Sequence, residues 1–303
     1  MLCEKGVRQV KLLQYLFLED KYIVGCRELS TDDTLPSIDS KKKYHFLMPT
    51  ANYWYADPFL FEKSEKTYVF VEAYNLWLAK GEIGVTLFEN GRFTPVKSIL
   101  RKDFHMSYPN IFEWNSKIYM IPETCAIHQI QLYEAIDFPY KWSLKKVLVD
   151  NVNAVDTSVL KTEEGKLLLY SKENYRNGRV LWFLLEKDLS IKPINISGVS
   201  QERPGGNPIN TQNGVIRPLQ DCQKCYGRRL VLYKWTADGK ETLAQVIDAD
   251  CISNRPNQKY SKTHTLNRSK NYEVIDAHGD FVDPLKILRK VFRKMKMVLT
   301  WSR

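Results

Sequence analysis

The chain of 303 residues has no apolar run close to the roughly 20 residues that a membrane-spanning helix needs. Its first apolar stretch, VKLLQYLFLEDK, is interrupted by Gln14, runs into Glu19 and Asp20, and has no small-residue cleavage site. Basic residues precede the stretch, as in a secretory signal peptide, but these interruptions mean that we do not expect one. We expect a cytoplasmic protein, peripheral on the inner face of a membrane if it is membrane-bound.

Histidine and cysteine are sparse, and their spacing does not suit a metal site. The pair Cys222 and Cys225 has no second cysteine pair and no suitably spaced histidines nearby, as a zinc site would require. The six cysteines are scattered, and the chain is too long and too rich in core residues to need a disulfide framework. We therefore expect reduced thiols, no metal and no cofactor.

Two common functional loops are also absent. The stretch ERPGGNP has two glycines, but it lacks the Lys-Ser/Thr ending of a phosphate-binding loop and does not open a helix. No Gly-x-Ser-x-Gly nucleophile elbow occurs. Of the net charge of +10, residues 282–303 carry +6, so the body of the chain is only mildly basic. We expect no nucleic-acid partner.

Aromatic residues are abundant, and the 17 Tyr and 13 Phe favour strands. The hairpin-like stretch ADPFLFEKSEKTYVFVEAY is followed by similar units, each with an apolar strand, a polar turn and a second apolar strand. The units recur roughly every 50 residues. Their anchor positions are Asp57, Tyr108, Asp156, Gly205 and His264.

Four short strands in a period of roughly 50 residues are typical of a β-propeller blade. The sequence therefore predicts an all-β fold: an N-terminal extension over 1–20 and a five-bladed β-propeller over 21–281. The early stretch KYIVGCREL would supply an outer strand to the last blade and close the ring. A large β-sandwich is the alternative, but it does not require such regular spacing.

Polar residues recur where the two strands of each hairpin would open onto the central channel. At an offset of 15 residues, Asp57 pairs with Glu72, Tyr108 with Glu123, Asp156 with Ser171, and Gly206 with Asp221. We expect these positions to converge at the mouth of one pocket. The residues predicted to bind substrate there are Glu72, His105, Tyr108, Glu123, Arg203, Arg217, Gln220, Asp221 and His264, with Lys172 nearby.

Carboxylates mixed with aromatic, Arg and His side chains suit a sugar, whose hydroxyls need donors and acceptors and whose ring stacks on Tyr or Trp. Glycoside hydrolysis needs two carboxyl groups, and a third can raise the pKa of the acid. The predicted catalytic trio is Asp57, Asp156 and Glu202, from blades one, three and four. Taken alone, Asp57 fits a turn cap equally well.

The segment over 282–303 differs from the rest of the chain. Asp283 can cap a helix, Pro284 suits its first position, and apolar residues follow at helical spacing. Basic residues flank them, so the segment predicts a basic amphipathic helix that binds an anionic membrane surface or a glycosyltransferase partner. The alternative is a helix docked on the propeller with its basic side in solvent.

The motifs YADPFLF, HMSYPNIFE, IYMIPET, RPGGN, IRPLQDCQKCYG and THTLNRSKNYEVID lie within residues 20–280. Their combination resembles the N-terminal domain family of plant glucosamine inositolphosphorylceramide transferases, which also occurs in bacterial polysaccharide-biosynthesis proteins. That family is similar in fold to five-bladed arabinanase- and invertase-type glycoside hydrolases. The resemblance implies a catalytic set at Asp57, Asp156 and Glu202. It does not imply transferase activity, which belongs to a separate glycosyltransferase domain of the plant proteins.

Together these observations predict a carbohydrate-active protein of bacterial surface-polysaccharide or glycoconjugate biosynthesis. In the first hypothesis it is an enzyme, glycosidase-like or glycosyl-transferring, with Asp57 as base or nucleophile. In the second it is a non-catalytic module that presents a glycan to a partner glycosyltransferase. A propeller used only for protein interactions would instead have an apolar mouth.

Overall fold

The computed structural model describes residues 16–30, 43–173, 178–211, 214–236, 239–252 and 260–301. Within these ranges the strands form five antiparallel sheets. The innermost strands of neighbouring sheets contact or hydrogen-bond each other in turn, and the last returns to the first. This is the arrangement of blades in a propeller. The all-β class and the five-bladed β-propeller are confirmed.

The first strands of the chain belong to the last blade, and blade one follows them. Blade five begins with β1 (Leu18–Glu28) and β2 (His45–Leu47). Blade one contains β3 (Tyr53–Lys63), β4 (Lys66–Asn75), β5 (Lys80–Glu89), β6 (Arg92–Phe93) and β7 (Lys97–Leu100).

The next three blades are built from consecutive strands. Blade two contains β8 (Ser107–Trp114), β9 (Lys117–Thr124), β10 (Gln129–Asp137) and β11 (Lys141–Val149), with a 3-10 turn at Cys125–Ile127. Blade three contains β12 (Ala154–Lys161), β13 (Leu167–Glu173), β14 (Val180–Leu185) and β15 (Ile191–Ile194). Blade four contains β16 (Arg203–Pro204), β17 (Ile209–Thr211), β18 (Gly214–Asp221), β19 (Arg229–Trp235) and β20 (Glu241–Ile247), followed by a 3-10 turn at Ala249–Ile252.

The ring is closed by pairing the two ends of the propeller. Blade five ends with β21 (Leu266–Arg268) and β22 (Tyr272–Val282). β1 pairs antiparallel with β22 over the full length of both strands, from Leu18 opposite Val282 to Glu28 opposite Tyr272. The early stretch thus closes the ring as expected. It is the third strand of its blade, however, because β2 pairs with its other edge.

The inner strands share an unusual backbone conformation near their start. The backbone angle φ is positive at one residue in each of blades one to four: +48° at Asp57, +46° at Tyr108, +52° at Asp156 and +136° at Gly206. In blades one to three the strand ladder shifts register at this residue, as in a β-bulge. The next residue then has no ladder bond to donate, which is why Pro58 and Pro109 are accepted there.

These bulges connect the blades through hydrogen bonds around the whole ring. The five boundaries are crossed by Tyr108 N to Asp57 Oδ2 at 3.2 Å, the Tyr108 and Ser158 hydroxyls at 2.7 Å, Ser158 Oγ to Gly206 O at 2.9 Å, Asn207 N to Asn267 Oδ1 at 2.7 Å, and Asn267 Nδ2 to Pro58 O at 2.8 Å. Every one of these groups is buried or nearly so, where an unmade hydrogen bond is costly. The bonds therefore fix how far each inner strand reaches toward the axis.

Apolar side chains fill the space between neighbouring blades. Between blades one and two, Phe59 packs edge-on against Tyr108, with ring centroids 4.8 Å apart. Val85 and Ile111 belong to the same cluster. Burial of this surface supplies the main favourable term for folding, while the inter-blade hydrogen bonds select the register.

The helix predicted at the end of the chain is present as α1 (Lys286–Trp301). It begins as the sequence suggests, because Asp283 Oδ1 accepts a hydrogen bond of 3.0 Å from Leu285 N. In the part of the chain that the structure describes, no helix combines the length and the apolar character needed to cross a bilayer.

Replacement of Tyr108 by Phe tests the hydrogen-bonded ring. The Tyr108 hydroxyl accepts a bond of 2.7 Å from Gly206 N and contacts Ser158 Oγ. Its removal leaves a buried N–H without an acceptor, so we expect Tyr108→Phe to lower the free energy of unfolding by about 1–3 kcal/mol in urea titrations. The same change at the more exposed Tyr140 is the control and should be nearly neutral. A Tyr108→Phe protein as stable as the unmodified one would contradict this account of the ring.

Candidate functional site

The open ends of the inner hairpins bring carboxyl groups together near the propeller axis. In the ladders, Glu72 lies opposite Ala56 and Glu123 lies opposite Ser107. Each of these partners directly precedes the residue with positive φ, in the left-handed region, of the same blade. Burial raises the pKa of Glu72 well above its usual range, and the negative charges of four other carboxylates raise it further. Those four carboxylates are Asp57, Glu123, Asp156 and Asp276. Side chains far apart in the sequence thus form one central cluster.

Asp57 is held by groups from blades two and five. Its carboxylate accepts hydrogen bonds from Thr265 Oγ1 at 2.7 Å and Tyr108 N at 3.2 Å, and His264 Nδ1 lies 3.6 Å away. Burial raises the pKa of Asp57 to about 6, although the charge of His264 opposes this shift. The side chain is buried, so little of its carboxylate is accessible to a ligand.

His264 lies between two aspartates. Its Nδ1 is 2.5 Å from Asp276 Oδ2, and the other oxygen of Asp276 accepts hydrogen bonds from the backbone N–H groups of His264 and Thr265. Burial alone would lower the pKa of His264, but Asp276 and Asp57 outweigh it and raise the pKa to about 8. At neutral pH this imidazole is therefore mostly charged.

Asp156 forms a buried ion pair with Arg203. The guanidinium contacts both oxygens of Asp156, through Nε to Oδ2 and through Nη2 to Oδ1 at 3.0 Å. Gln220 Nε2 donates a further bond of 2.6 Å to Oδ2. The same Nη2 lies 3.2 Å from Glu123 Oε2, so two carboxyl groups share one cation. Burial and the nearby Asp156 charge raise the pKa of Glu123 well above its usual range.

Glu72 and His105 form the more open side of the cluster. Gly81 N donates to His105 Nδ1 at 2.9 Å, which assigns the imidazole proton to Nε2. Nε2 lies 3.5 Å from Glu72 Oε1, a buried oxygen that has no hydrogen-bond partner within the usual distance. Burial lowers the pKa of His105, and Lys80 lowers it further. Burial therefore disfavours the charged form of both the imidazole and the carboxyl group.

A cleft of about 570 Å³ lies above blades three and four and reaches the cluster at Arg203 and Gln220. The ring of Tyr226 forms one wall, 5.0 Å from the Arg203 guanidinium and 5.4 Å from the His264 ring. Side chains of both charges and two thiols complete the lining: Lys172, Gln201, Glu202, Cys222, Gln223, Lys224 and Cys225. A polar pocket with one aromatic wall and few apolar groups can bind a polyhydroxylated ligand.

One group of side chains in the described ranges has ligand atoms close enough to share a metal ion: Asp57, His264 and Asp276, within 4.8 Å of one another. The donor set does not favour a cation. His264 Nδ1 is engaged with Asp276, and both aspartates accept hydrogen bonds from Thr265. A cation would have to displace these bonds and approach a positively charged imidazole.

The predicted site residues fall into three places. The central cluster contains eight of them: Asp57, Glu72, His105, Glu123, Asp156, Arg203, Gln220 and His264. Lys172 and Glu202 line the cleft, where the Glu202 carboxylate accepts a hydrogen bond from Ser200 Oγ. The side chains of Tyr108, Arg217 and Asp221 make hydrogen bonds or ion pairs within and between the blades.

The placement of the last three residues has clear physical reasons. Arg217 is fully buried between blades, 2.6 Å from Glu241 and 4.8 Å from the Tyr170 ring centroid. Asp221 is paired with Arg229 of its own hairpin at 2.8 Å. The structure does not bring Arg217 or Asp221 into contact with the cluster, and the buried Tyr108 contributes its backbone N–H and a structural hydroxyl.

Three participants were missed from the sequence: Asp276, Thr265 and Tyr226. A signal for Asp276 was present, because it follows an apolar run in YEVIDAHG just as Glu72 does in YVFVEAY and Glu123 does in YMIPET. Alignment of the second strands of the hairpins would have identified it. Thr265 and Tyr226 have no comparable pattern, since Thr265 lies just before β21 and Tyr226 lies in the turn between β18 and β19.

Comparisons with known proteins agree with this architecture. The family described as glucosamine inositolphosphorylceramide transferase 1, N-terminal, matches residues 46–277. The rice (Oryza sativa subsp. indica) glucosamine inositolphosphorylceramide transferase 1 is 30% identical over 205 residues, which are 63% of this chain and 27% of the rice protein. The Arabidopsis thaliana protein of the same name is 28% identical over 204 residues, 63% of this chain and 26% of that protein. The chain spans about a quarter of the length of these relatives. They are plant proteins and do not support the bacterial source expected from the sequence.

Solved structures with a similar fold include glycoside hydrolases. The RS223 β-xylosidase has a TM-score of 0.55 at 12% identity, covering 76% of this chain and 92% of the xylosidase. A GH43_1 enzyme from Xanthomonas citri complexed with xylose has a TM-score of 0.54 at 10% identity, covering 77% of this chain and 89% of the enzyme. At such identities the likeness shows the fold alone.

The His264 cluster predicts a specific pH dependence of stability. A histidine whose pKa rises from 6.5 to about 8 on folding stabilises the protein below pH 6.5, and this contribution is lost as the pH rises through about 8. We expect its loss to lower the free energy of unfolding by about 2 kcal/mol. Urea titrations across this range should show the decrease in the unmodified chain and a smaller decrease in His264→Gln. The exposed His45→Gln is the control, and an equal decrease in all three proteins would contradict the prediction.

Proposed function

The chain belongs to the glucosamine inositolphosphorylceramide transferase 1 N-terminal family, which supports a carbohydrate-related function. From this premise we propose that its cleft binds the sugar part of a glycoconjugate. In this proposal the domain holds the sugar for a glycosyltransferase, on the same chain or on a partner, and does not hydrolyse it. The observation that carries the proposal is that Asp57 and Asp156 are already bonded to protein groups.

A hydrolase needs one carboxylate that is free to attack the sugar or activate water, and one acid across the sugar from it. Both carboxylate oxygens of Asp156 already accept hydrogen bonds, two from Arg203 and one from Gln220. Asp57 accepts from Thr265 and Tyr108 and is buried. Such carboxylates are positioned to fix their neighbours, and their lone pairs are largely occupied.

The groups that remain suit recognition of hydroxyls. On the more open side of the cluster, Glu72 Oε1 has no hydrogen-bond partner among the described residues and can accept, and the nearby His105 Nε2–H can donate. Tyr226 offers a partly exposed ring at the cleft, where Arg203 holds it by a cation–π contact. Exposed Lys224 adds positive charge at the rim, whereas Lys172 is buried and its Nζ donates to Gln201 O at 2.6 Å. A sugar carrying an acidic substituent fits this lining best.

Catalysis is the second candidate, because several central carboxyl groups have raised pKa values. The pKa of Asp57 is about 6, so it is mainly ionised at neutral pH, whereas the pKa of Glu123 is raised well above its usual range. A base and an acid with separated pKa values are what glycoside hydrolysis uses. In such an enzyme Glu123 would be the acid, since Glu202 is engaged with Ser200 at the rim.

Binding can be tested by titrating the chain with glucose, glucosamine, glucuronate and xylotriose, followed by calorimetry or NMR. We expect glucuronate to bind more tightly than glucose, because the exposed Lys224 of the cleft lining favours a carboxylate. Tyr226→Ala should weaken binding about 3- to 10-fold by removing the stacking ring. Tyr140→Ala, which changes an exposed tyrosine outside the cleft lining, is the matched control. If no sugar binds, or if the two variants behave alike, the proposal is wrong.

Turnover separates the two candidates. We expect the chain to release no more 4-nitrophenol from aryl xylosides, arabinosides or glucuronides than Asp57→Asn does. Because Asn keeps the shape of the side chain, the variant should still bind sugar if the fold is intact. Release that disappears in both Asp57→Asn and Glu123→Gln would instead establish the hydrolase and refute a purely binding role.

A further inference from the structure

The helix α1 packs on the propeller with the opposite orientation to an ordinary surface helix. A surface helix normally buries its apolar side and leaves its charged side in water. In α1, Arg289 is fully buried, whereas Leu288 is 58% exposed, Val291 50% and Met295 60%. Ile287 and Phe292 are exposed as well. Hydrophobic burial against the residues that the structure describes therefore does not explain the outward-facing side of α1.

The exposed apolar residues form one continuous stripe. Ile287, Val291 and Met295 follow each other at intervals of four, and Leu288 and Phe292 lie beside them one position later. With 3.6 residues per turn, these five positions share one side of the helix. Arg289 and Arg293 lie on the other side, toward the propeller.

Buried ion pairs hold the helix in this orientation. Arg289 Nη2 is 2.8 Å from Glu19 Oε2 and also contacts Asp283 Oδ2, while Nη1 donates to Ala51 O at 2.6 Å. Lys21 forms a second ion pair with Asp283. Removing either partner would leave an uncompensated buried charge, so the helix cannot rotate to hide its stripe without breaking these pairs.

The helix flanks the central cluster on the face where the inner hairpins open. Phe292 contacts Trp77, which follows the end of β4, with ring centroids 5.5 Å apart. Arg293 lies close enough to oppose the rise in the pKa of Tyr74 that burial causes. The Tyr74 ring is 6.3 Å from His105, whose Nε2 faces Glu72. The stripe and the open side of the cluster are therefore neighbours.

We propose that α1 docks this face of the propeller onto an anionic lipid surface. The apolar stripe would enter the boundary between headgroups and acyl chains, as interfacial helices do. Charge complementarity favours lipid over an apolar protein groove: besides the buried Arg289, residues 282–303 carry six basic side chains, and their one acid, Asp283, is already paired. Exposed Lys290 and Lys294 flank the stripe at the level of the headgroups. The proposal does not depend on sugar binding.

Vesicle co-sedimentation of the full chain tests the proposal. We expect pelleting with vesicles of phosphatidylcholine containing about one third phosphatidylserine, at least about 10-fold above pelleting with phosphatidylcholine alone. Binding should weaken as NaCl rises from about 0.1 M to about 0.5 M, because the headgroup attraction is screened. The double variant Leu288→Glu/Met295→Glu should lose at least about 10-fold in the partition coefficient, because its stripe becomes charged.

The matched control is Ile136→Glu/Leu243→Glu, which adds the same charge at two exposed apolar positions on blades two and four. Its partition coefficient should fall much less than that of the α1 variant. Equal losses in both variants, or pelleting that does not depend on phosphatidylserine, would overturn the proposal. A third result would also overturn it: the chain does not bind vesicles, light scattering shows a dimer, and Leu288→Glu/Met295→Glu dissociates that dimer. The stripe would then be a protein interface. Circular dichroism should show that both variants remain folded.

Discussion

The left-handed residue near the start of the inner strands is the constraint on which the rest of the structure depends. At Asp57, Tyr108 and Asp156 a non-glycine side chain accepts a conformation that costs about 1–2 kcal/mol. The bulge so formed turns polar groups toward the axis, where they bond to neighbouring blades. The inter-blade bonds offset the strain and fix the register of all five hairpins. Without the bulges, these side chains would follow the ordinary alternation of a strand and be divided between its two faces.

The same constraint sets the chemistry of the centre. Because the hairpins converge, several carboxyl groups are buried within reach of one another, and this raises the pKa values of Asp57, Glu72 and Glu123. The cations Arg203 and His264 stabilise Asp156, Asp276 and Asp57 as charged acceptors, while Glu72 has its pKa raised by burial. The result is a rigid, largely satisfied polar floor beneath an open cleft. In the role that we propose, this floor holds a polar ligand.

The blades could be predicted from the sequence because their period is carried by many residues at once, and the convergence of Asp57 with other hairpin ends followed from that period. Single side chains were harder to predict. The direction in which Arg217 points depends on strand pleating and on its partner Glu241, and the pairing of Asp221 depends on a neighbouring strand. Helical spacing identified α1 but not its orientation, because the contacts of Arg289 with Ala51 and Glu19 involve residues more than 200 positions away.

Amide hydrogen exchange measured by NMR tests the hydrogen-bonded ring most directly. Tyr108 N, Gly206 N and Asn207 N all donate across blade boundaries. If the ring holds the blades together, these amides should exchange only through global unfolding, with the same free energy as amides in the middle of β4. Exchange at these three positions that is more than about 100-fold faster than in β4 would show that the boundaries open independently, and the ring could not then be what positions the central cluster.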